Sequence, residues 1–236
     1  MPSKAKSKAG QQLSEAVARK SRVVIVDDHP LIRQGLAQLL NTRPNLSVIA
    51  EADSAGAGLD LVRRHNPDLV ILDLSLAKAD GLEVVKQLKA ELPKLPILVI
   101  SMHDESVYAE RVLRAGARGY VMKKEPSEKI FLAVDALLRG EIFVSDRIKQ
   151  DMLQFTATGK RASNEGGEPL DHLTDREMQV FRRMGDGIST REIAQELHLS
   201  VKTIESYRES LKVKLNVPTG AALVQRAIQW ARTQSR

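Results

Sequence analysis

The chain has 236 residues, 42% of them hydrophobic, with a net charge of +6 and a pI near 9.5, enough for two modest domains with buried cores. The absence of cysteine excludes disulfides, thiolate metal sites and cysteine nucleophiles, and fits a reducing cytoplasm. The basic excess sits at the ends: residues 1–22 carry six Lys/Arg against one Glu, residues 170–236 carry eleven against eight acids, and residues 23–147 carry sixteen against eighteen.

Residues 1–21 are rich in Lys, Ser, Ala and Gln with no apolar run, and read as a basic disordered arm, either solvated or laid along DNA phosphate. No signal-peptide core or transmembrane span is written in the text, so a cytoplasmic protein without membrane contact is expected. From Val23 the pattern alternates. Val23-Val24-Ile25-Val26 is a short buried strand, and Pro30–Leu40 has helical spacing with proline opening its first turn. Strands follow at Leu46–Ala52, Asp68–Asp73, Pro96–Met102 and Gly119–Met122. Helices come between and after them at Ser54–His65, Gly81–Glu91, Glu105–Ala115 and Ser127–Leu138. Five strands alternating with five helices predict an α/β, doubly wound, five-stranded parallel sheet over residues 22–140.

In such sheets chemistry collects beyond the carboxyl ends of the strands. Those ends here deliver Asp27 and Asp28, Asp73, Ser101 and Lys123 to one rim. Adjacent carboxylates repel unless a cation lies between them. Three carboxylates can hold one Mg²⁺ that keeps waters for a phosphate group to replace. Asp73 can then serve as nucleophile toward phosphorus, Lys123 can neutralise the transferred group, and Ser101 can donate to its oxygen. No Gly-rich phosphate loop follows the first strand, which argues against nucleotide binding. The five histidines (His29, His65, His103, His172, His198) show no ligand spacing and are expected to be structural or solvated.

Val-Asp-Asp-His, Leu-Asp-Leu, Ile-Ser-Met-His-Asp-Glu and Gly-Ala-Arg-Gly-Tyr-Val-Met-Lys give residues 23–139 a clear similarity: the segment resembles a response-regulator receiver domain, flavodoxin-like in fold. The resemblance implies that Asp73 accepts phosphate from a sensor histidine kinase. Asp27, Asp28, Asp73 and the Ser75 carbonyl would hold Mg²⁺, Ser101 and Tyr120 would form a switch pair, and Lys123 would bind the phosphoryl group. Two positions depart from the family pattern: Ala77 stands where proline is frequent, and Lys124 where an acid is.

Residues 141–169 read as a linker, with a possible short helix at Ser145–Phe155 and an aperiodic, Gly-containing stretch from Thr158 to Gly167. Residues 170–236 are helical throughout. Thr174-Asp175-Arg176-Glu177 and Ser189-Thr190-Arg191-Glu192 are capping boxes, Ser200 can cap a third helix reaching about Leu215, and Pro218-Thr219 opens a fourth ending near Ala231. A tight turn between the second and third makes a helix-turn-helix, a separate all-α domain. Val201, Ile204, Leu211 and Leu215 share one face of the third helix. Ala222, Leu223, Ala227, Ile228 and Trp230 of the fourth suit either the domain's own core or the meeting of two copies.

Leu-Thr-Asp-Arg-Glu, Gly-Ile-Ser-Thr-Arg-Glu-Ile-Ala, Leu-Ser-Val-Lys-Thr-Ile-Glu-Ser-Tyr-Arg and Lys-Leu-Asn-Val make residues 170–234 similar to the LuxR-type helix-turn-helix of NarL/FixJ regulators. What the resemblance implies is binding of double-stranded promoter DNA. Glu205, Ser206 and Glu209 would lie at base edges, and Thr190, Lys202, Thr203, Tyr207, Arg208 and Lys212 would meet the DNA around them. The expected function is a phosphorylation-controlled transcriptional regulator, homodimeric when phosphorylated and bound to an inverted repeat, rather than an enzyme. The alternatives are a Mg²⁺-dependent phosphoryl hydrolase using Asp73, or an interaction protein whose receiver is never phosphorylated.

Overall fold

The computed structural model of the chain describes residues 19–76, 79–158, 170, 173–197 and 199–234. Residues 1–18 of the N-terminal arm, Ala77, the Thr158–Gly167 stretch beyond Thr158, His172 and His198 lie outside the described residues, while Ser21, expected in the arm, already belongs to the first strand. The first part runs β1 (Ser21–Val26), α1 (Pro30–Asn41), β2 (Leu46–Ala52), α2 (Ala55–His65), β3 (Leu69–Asp73), α3 (Gly81–Glu91), β4 (Ile97–Ser101), α4 (Glu105–Arg114), β5 (Gly119–Met122) and α5 (Ser127–Leu138). All strand pairs are parallel, in the order β2-β1-β3-β4-β5.

The strands are apolar at nearly every position because both sheet faces are covered. Val24, Val26, Val70, Leu72, Ile97 and Val99 pack with Val62, Leu88 and Val112 of α2, α3 and α4, while Val23, Ile25, Leu69, Ile71, Leu98 and Ile100 pack with Leu40 of α1 and Val134 of α5. Each such side chain contributes about 1.5–3 kcal/mol by leaving water. The order reverses direction between β1 and β3, and there the two strand ends part to leave a crevice. Asp27 and Asp73 lie at that opening. Gly81 starts α3 hard against the preceding chain, where a Cβ would stand 2.6 Å from Leu74 Cα.

The sheet does not stop at β5. Phe143 pairs in parallel with Gly119, the Tyr120 N–H donates to Phe143 O at 3.0 Å, and the Phe143 N–H donates to Arg118 O at 2.9 Å. The possible helix of the linker is formed and longer than its spacing suggests, as α6 (Asp146–Thr158), anchored by buried Val144 and Ile148.

The C-terminal part comprises α7 (Asp175–Gly185), α8 (Thr190–Glu196), α9 (Val201–Lys214) and α10 (Gly220–Gln234). Both capping boxes close, and the Ser200 hydroxyl accepts from Thr203 N–H at 3.0 Å at the start of α9. Gly185 lets α7 and α10 touch, since a Cβ there would meet Ala227 O at 2.7 Å. Ile204, Leu211 and Leu215 are buried as their spacing predicts. Val201 is not: at the first position of α9 it is 40% exposed, outside the turn that the other three bury. On α10, Leu223, Ala227 and Trp230 face inward, so the core reading holds for those three.

The two parts touch along α3 and α4. Asp175 pairs with Lys86 at 2.8 Å and with Arg111 at 3.3 Å, and Arg111 also donates to Leu170 O at 3.1 Å. Deeper in, the His103 ring lies between Tyr108 (centroids 4.9 Å apart) and Trp230 (6.2 Å).

Candidate phosphoacceptor site and DNA surface

The strand ends of β1, β3, β4 and β5 converge on one buried carboxylate. Lys123, just past β5, sends its ammonium to Asp73 Oδ2 at 2.8 Å and to Asp27 Oδ2 at 2.8 Å, with all three side chains almost fully shielded. The lysine is aimed by its own backbone, whose N–H donates to Ser101 O at 2.7 Å. Asp73 Oδ1 accepts from Ser75 N–H at 3.0 Å. Burial raises the Asp73 carboxyl above its ordinary range, and Lys123 opposes that rise by charge and hydrogen bond. A second cation beside it would favour the ionised, nucleophilic form.

Asp28 completes the acidic set at the rim. His29 joins it: Nδ1 lies 2.8 Å from Asp28, 3.3 Å from Asp27 and 3.6 Å from Asp73. Ligand atoms of Asp27, Asp28, His29 and Asp73 fall within 4.8 Å of one another, a spread that suits one divalent ion. The His29 side chain is also 55% exposed, in keeping with the solvated role expected of it, and its place directly after the two acids sets it beside them.

At His103 the structural role expected of the histidines is plain. The Ser101 side chain is fully buried and its Oγ accepts from His103 N–H at 3.1 Å; Tyr120 OH donates to His103 O at 2.8 Å; and His103 Nε2 sits 2.8 Å from Ser75 Oγ. Burial, then the charges of Arg182 and Lys123, push the imidazole down to about 3, so it is neutral at physiological pH. Tyr120 occupies the inner position, 2% exposed, with burial raising its hydroxyl well above the usual range. Lys124 is exposed.

On the C-terminal part, Lys202, Glu205, Ser206 and Glu209 are exposed along α9, and the receiver does not cover them. The remaining candidates are half-buried. Arg208 donates to Thr190 Oγ1 at 2.7 Å, bringing α8 and α9 together, and Thr203 Oγ1 lies 2.7 Å from Ser200 Oγ. Tyr207 packs against the core, and Lys212 pairs with Glu209 at 2.7 Å.

A five-stranded parallel sheet with three acids, a buried lysine and a buried serine at its switch point, joined to a helix-turn-helix with an open third helix, defines a receiver coupled to a DNA-binding module. Family comparison agrees. Residues 23–135 match the response regulator receiver domain, and residues 171–227 match the bacterial regulatory proteins of the luxR family. The chain is 34% identical over 203 residues to a nitrate/nitrite response regulator protein homolog of Haemophilus influenzae, covering 86% of this chain and 94% of that one. It is 30% identical to the oxygen regulatory protein NreC of Staphylococcus haemolyticus, over 88% of this chain and 97% of the relative. A structure of RcsB from Salmonella enterica serovar Typhimurium, bound to promoter rprA with the phosphomimetic BeF3−, superposes with a TM-score of 0.69 at 26% identity, covering 89% of this chain and 99% of that one. The chain belongs to the two-component response regulators of the NarL/FixJ type: it is a phosphorylation-controlled transcriptional regulator.

Proposed function

We propose that residues 22–140 form the receiver, residues 170–236 the DNA-binding domain and residues 141–169 their connection, and that Asp73 takes a phosphoryl group from a sensor histidine kinase. The observation that carries this is the Lys123 ammonium shared between Asp27 and Asp73 at 2.8 Å each, beside a buried Ser101. A carboxylate oxygen of Asp73 attacks phosphorus as the donor's P–N bond breaks, and the acyl phosphate forms. Asp27, Asp28, Asp73 and the Ser75 carbonyl are the residues that would hold Mg²⁺, whose role is to neutralise the transferred group's oxygens. Lys123 pairs with the phosphoryl oxygens and Ser101 donates to one of them. The chain catalyses no turnover of a separate substrate and works in the cytoplasm, away from membranes; among the described residues no helix is long and apolar enough to cross one.

Output is promoter binding. A small module makes few base contacts, so two copies on an inverted repeat bind far better than one, and phosphorylation favours the homodimer. Glu205, Ser206 and Glu209 face base edges, where a carboxylate accepts from the cytosine amino group. Thr190, Lys202, Thr203, Tyr207, Arg208 and Lys212 hold the helix against the sugar-phosphate chain. A gel shift on selected promoter DNA, with and without a small phosphodonor and Mg²⁺, tests this. Phosphodonor should lower the protein concentration needed for a shift, and equal shifts in both arms would refute it.

A further inference from the structure

Val201 opens α9, and it meets water although helical spacing assigns it to the core. The cause is local. The Ser200 hydroxyl accepts from Thr203 N–H at 3.0 Å and lies 2.7 Å from Thr203 Oγ1, so the helix starts at Val201 with no preceding turn to cover it. A single surface valine is ordinary. The side of the helix it stands on gives this one meaning. Val201, Glu205, Arg208 and Lys212 follow at i, i+4, i+7 and i+11, one stripe along α9. In the proposed function the other three members all meet DNA, Glu205 at a base edge and Arg208 and Lys212 along the sugar-phosphate chain. Arg208 is held in the stripe by its bond to Thr190 Oγ1 at 2.7 Å.

A helix-turn-helix brings the N-terminal residues of its third helix to base edges in the major groove. An isopropyl group there gains only from the C5-methyl of thymine, the apolar group that the groove displays. Against guanine O6 and N7, or the cytosine amino group, it covers a polar atom and offers no hydrogen bond, which costs free energy. Glu205 has the complementary preference, since its carboxylate accepts from the cytosine amino group and finds no donor on thymine. Side chains at i and i+4 stand about 5–6 Å apart, which spans one to two base steps of about 3.4 Å each. Val201 and Glu205 therefore fall on different, nearby bases.

We propose that Val201 is a specificity-determining residue that reads thymine: its isopropyl group packs on the C5-methyl of a thymine one or two steps from the cytosine that Glu205 reads, once in each half-site. This rests on α9 reading base edges in the major groove, and it supplies the apolar half of that reading. A hydrogen bond selects one base and a methyl contact selects its neighbour. The methyl contact involves no charge and releases no counterions, so the preference for thymine is the same at low and high salt, unlike the phosphate contact of Lys212.

Uracil differs from thymine only by that methyl, so it isolates the contact. Duplexes selected from random DNA by the full-length protein, in Mg²⁺ and a small phosphodonor, would be resynthesised with uracil at one thymine at a time and their binding measured by fluorescence anisotropy. Wild type should lose about fourfold in affinity at one thymine of each half-site, the worth of one buried methyl group, with the same ratio across a salt series. Val201→Ala should bind the thymine and uracil duplexes alike, and Val201→Ile should keep the preference. Val213→Ala, at the far end of α9 where Val213 is 82% exposed, should keep it too. A wild-type protein that treats uracil and thymine alike at every position overturns the proposal, even if the variants fold poorly. A Val201→Ala protein that retains the preference, or a Val213→Ala protein that loses it, does the same. If selection returns no motif at all, α9 does not read bases, and the proposal falls with that reading.

Discussion

The acid pocket and the exposed face of α9 carry the two halves of the proposed function, and they are built on opposite plans. In the pocket, Asp27, Asp73, Ser101 and Lys123 are almost wholly buried, and each is fixed by another of the group or by the backbone of a strand end. On α9, Lys202, Glu205, Ser206 and Glu209 stand in solvent, with Ser206 bonded back to Lys202 O and Glu209 to Lys212. The chain alone determines the first geometry; in the proposed function the second would be completed only by DNA. Single substitutions in the pocket should therefore give all-or-none effects, and those on α9 graded ones.

The largest expected effect is that of Asp73→Asn, which should abolish phosphoryl uptake from a small donor in Mg²⁺ while the circular dichroism stays unchanged. Intact-mass analysis that still finds the added phosphoryl group would move the acceptor elsewhere. Next comes Lys123→Ala. It leaves two buried carboxylates facing each other and should cost about 3–5 kcal/mol of receiver stability in chelator. Mg²⁺ should restore part of the loss; urea unfolding with no Mg²⁺-dependent recovery would mean that the acids do not share a cation.

Glu177 ties the capping box of α7 to α9 through Ser210 at 2.5 Å and Lys214 at 2.7 Å. Burial pushes its carboxyl up, but these hydrogen bonds and those of Thr174 outweigh burial and hold it at about 2, below the ordinary 4.5. The folded form thus binds fewer protons than the unfolded one, so the stabilisation is complete above pH 4.5 and is lost as pH falls toward 2. Glu177→Gln should cost about 2–3 kcal/mol at pH 7 and flatten that acid limb. Thermal unfolding that tracks wild type across the window would contradict the assignment.

The smallest effects belong to α9. Glu205→Ala should relax base preference by about 1–3 kcal/mol at one position of each half-site, and Lys212→Ala should lower the salt-dependence slope by about one unit or less while leaving the preferred sequence intact. Site selection from random DNA measures both, and an unchanged motif for Glu205→Ala would remove that residue from base reading.

How much was legible in the sequence follows the same division. Strand ends are fixed by topology, so polar residues closing apolar runs at Asp27, Asp73 and Ser101 announced the pocket before any coordinates. The helix caps were equally plain, because a capping box is a local pattern. The contacts of His103 were not legible because its partners Ser75 and Tyr120 come from other strand ends, a closeness that no spacing within one segment records. Val201 misled for the reverse reason: helical spacing assigns it to the buried face, but the first residue of a helix has no preceding turn to cover it. The burial of Trp230 against the receiver depends on contact between two domains, which neither domain's pattern contains.

The Phe143 pairing with Gly119 has a practical consequence. Without residues 141–144 the outer edge of β5 would be a row of unpaired N–H and C=O groups on an apolar strand, a template for another chain. A receiver cut at residue 140 would keep every acid of the pocket and yet tend to self-associate through that edge. Extending the fragment through α6, to Thr158, keeps the edge paired and covers it with buried Val144 and Ile148.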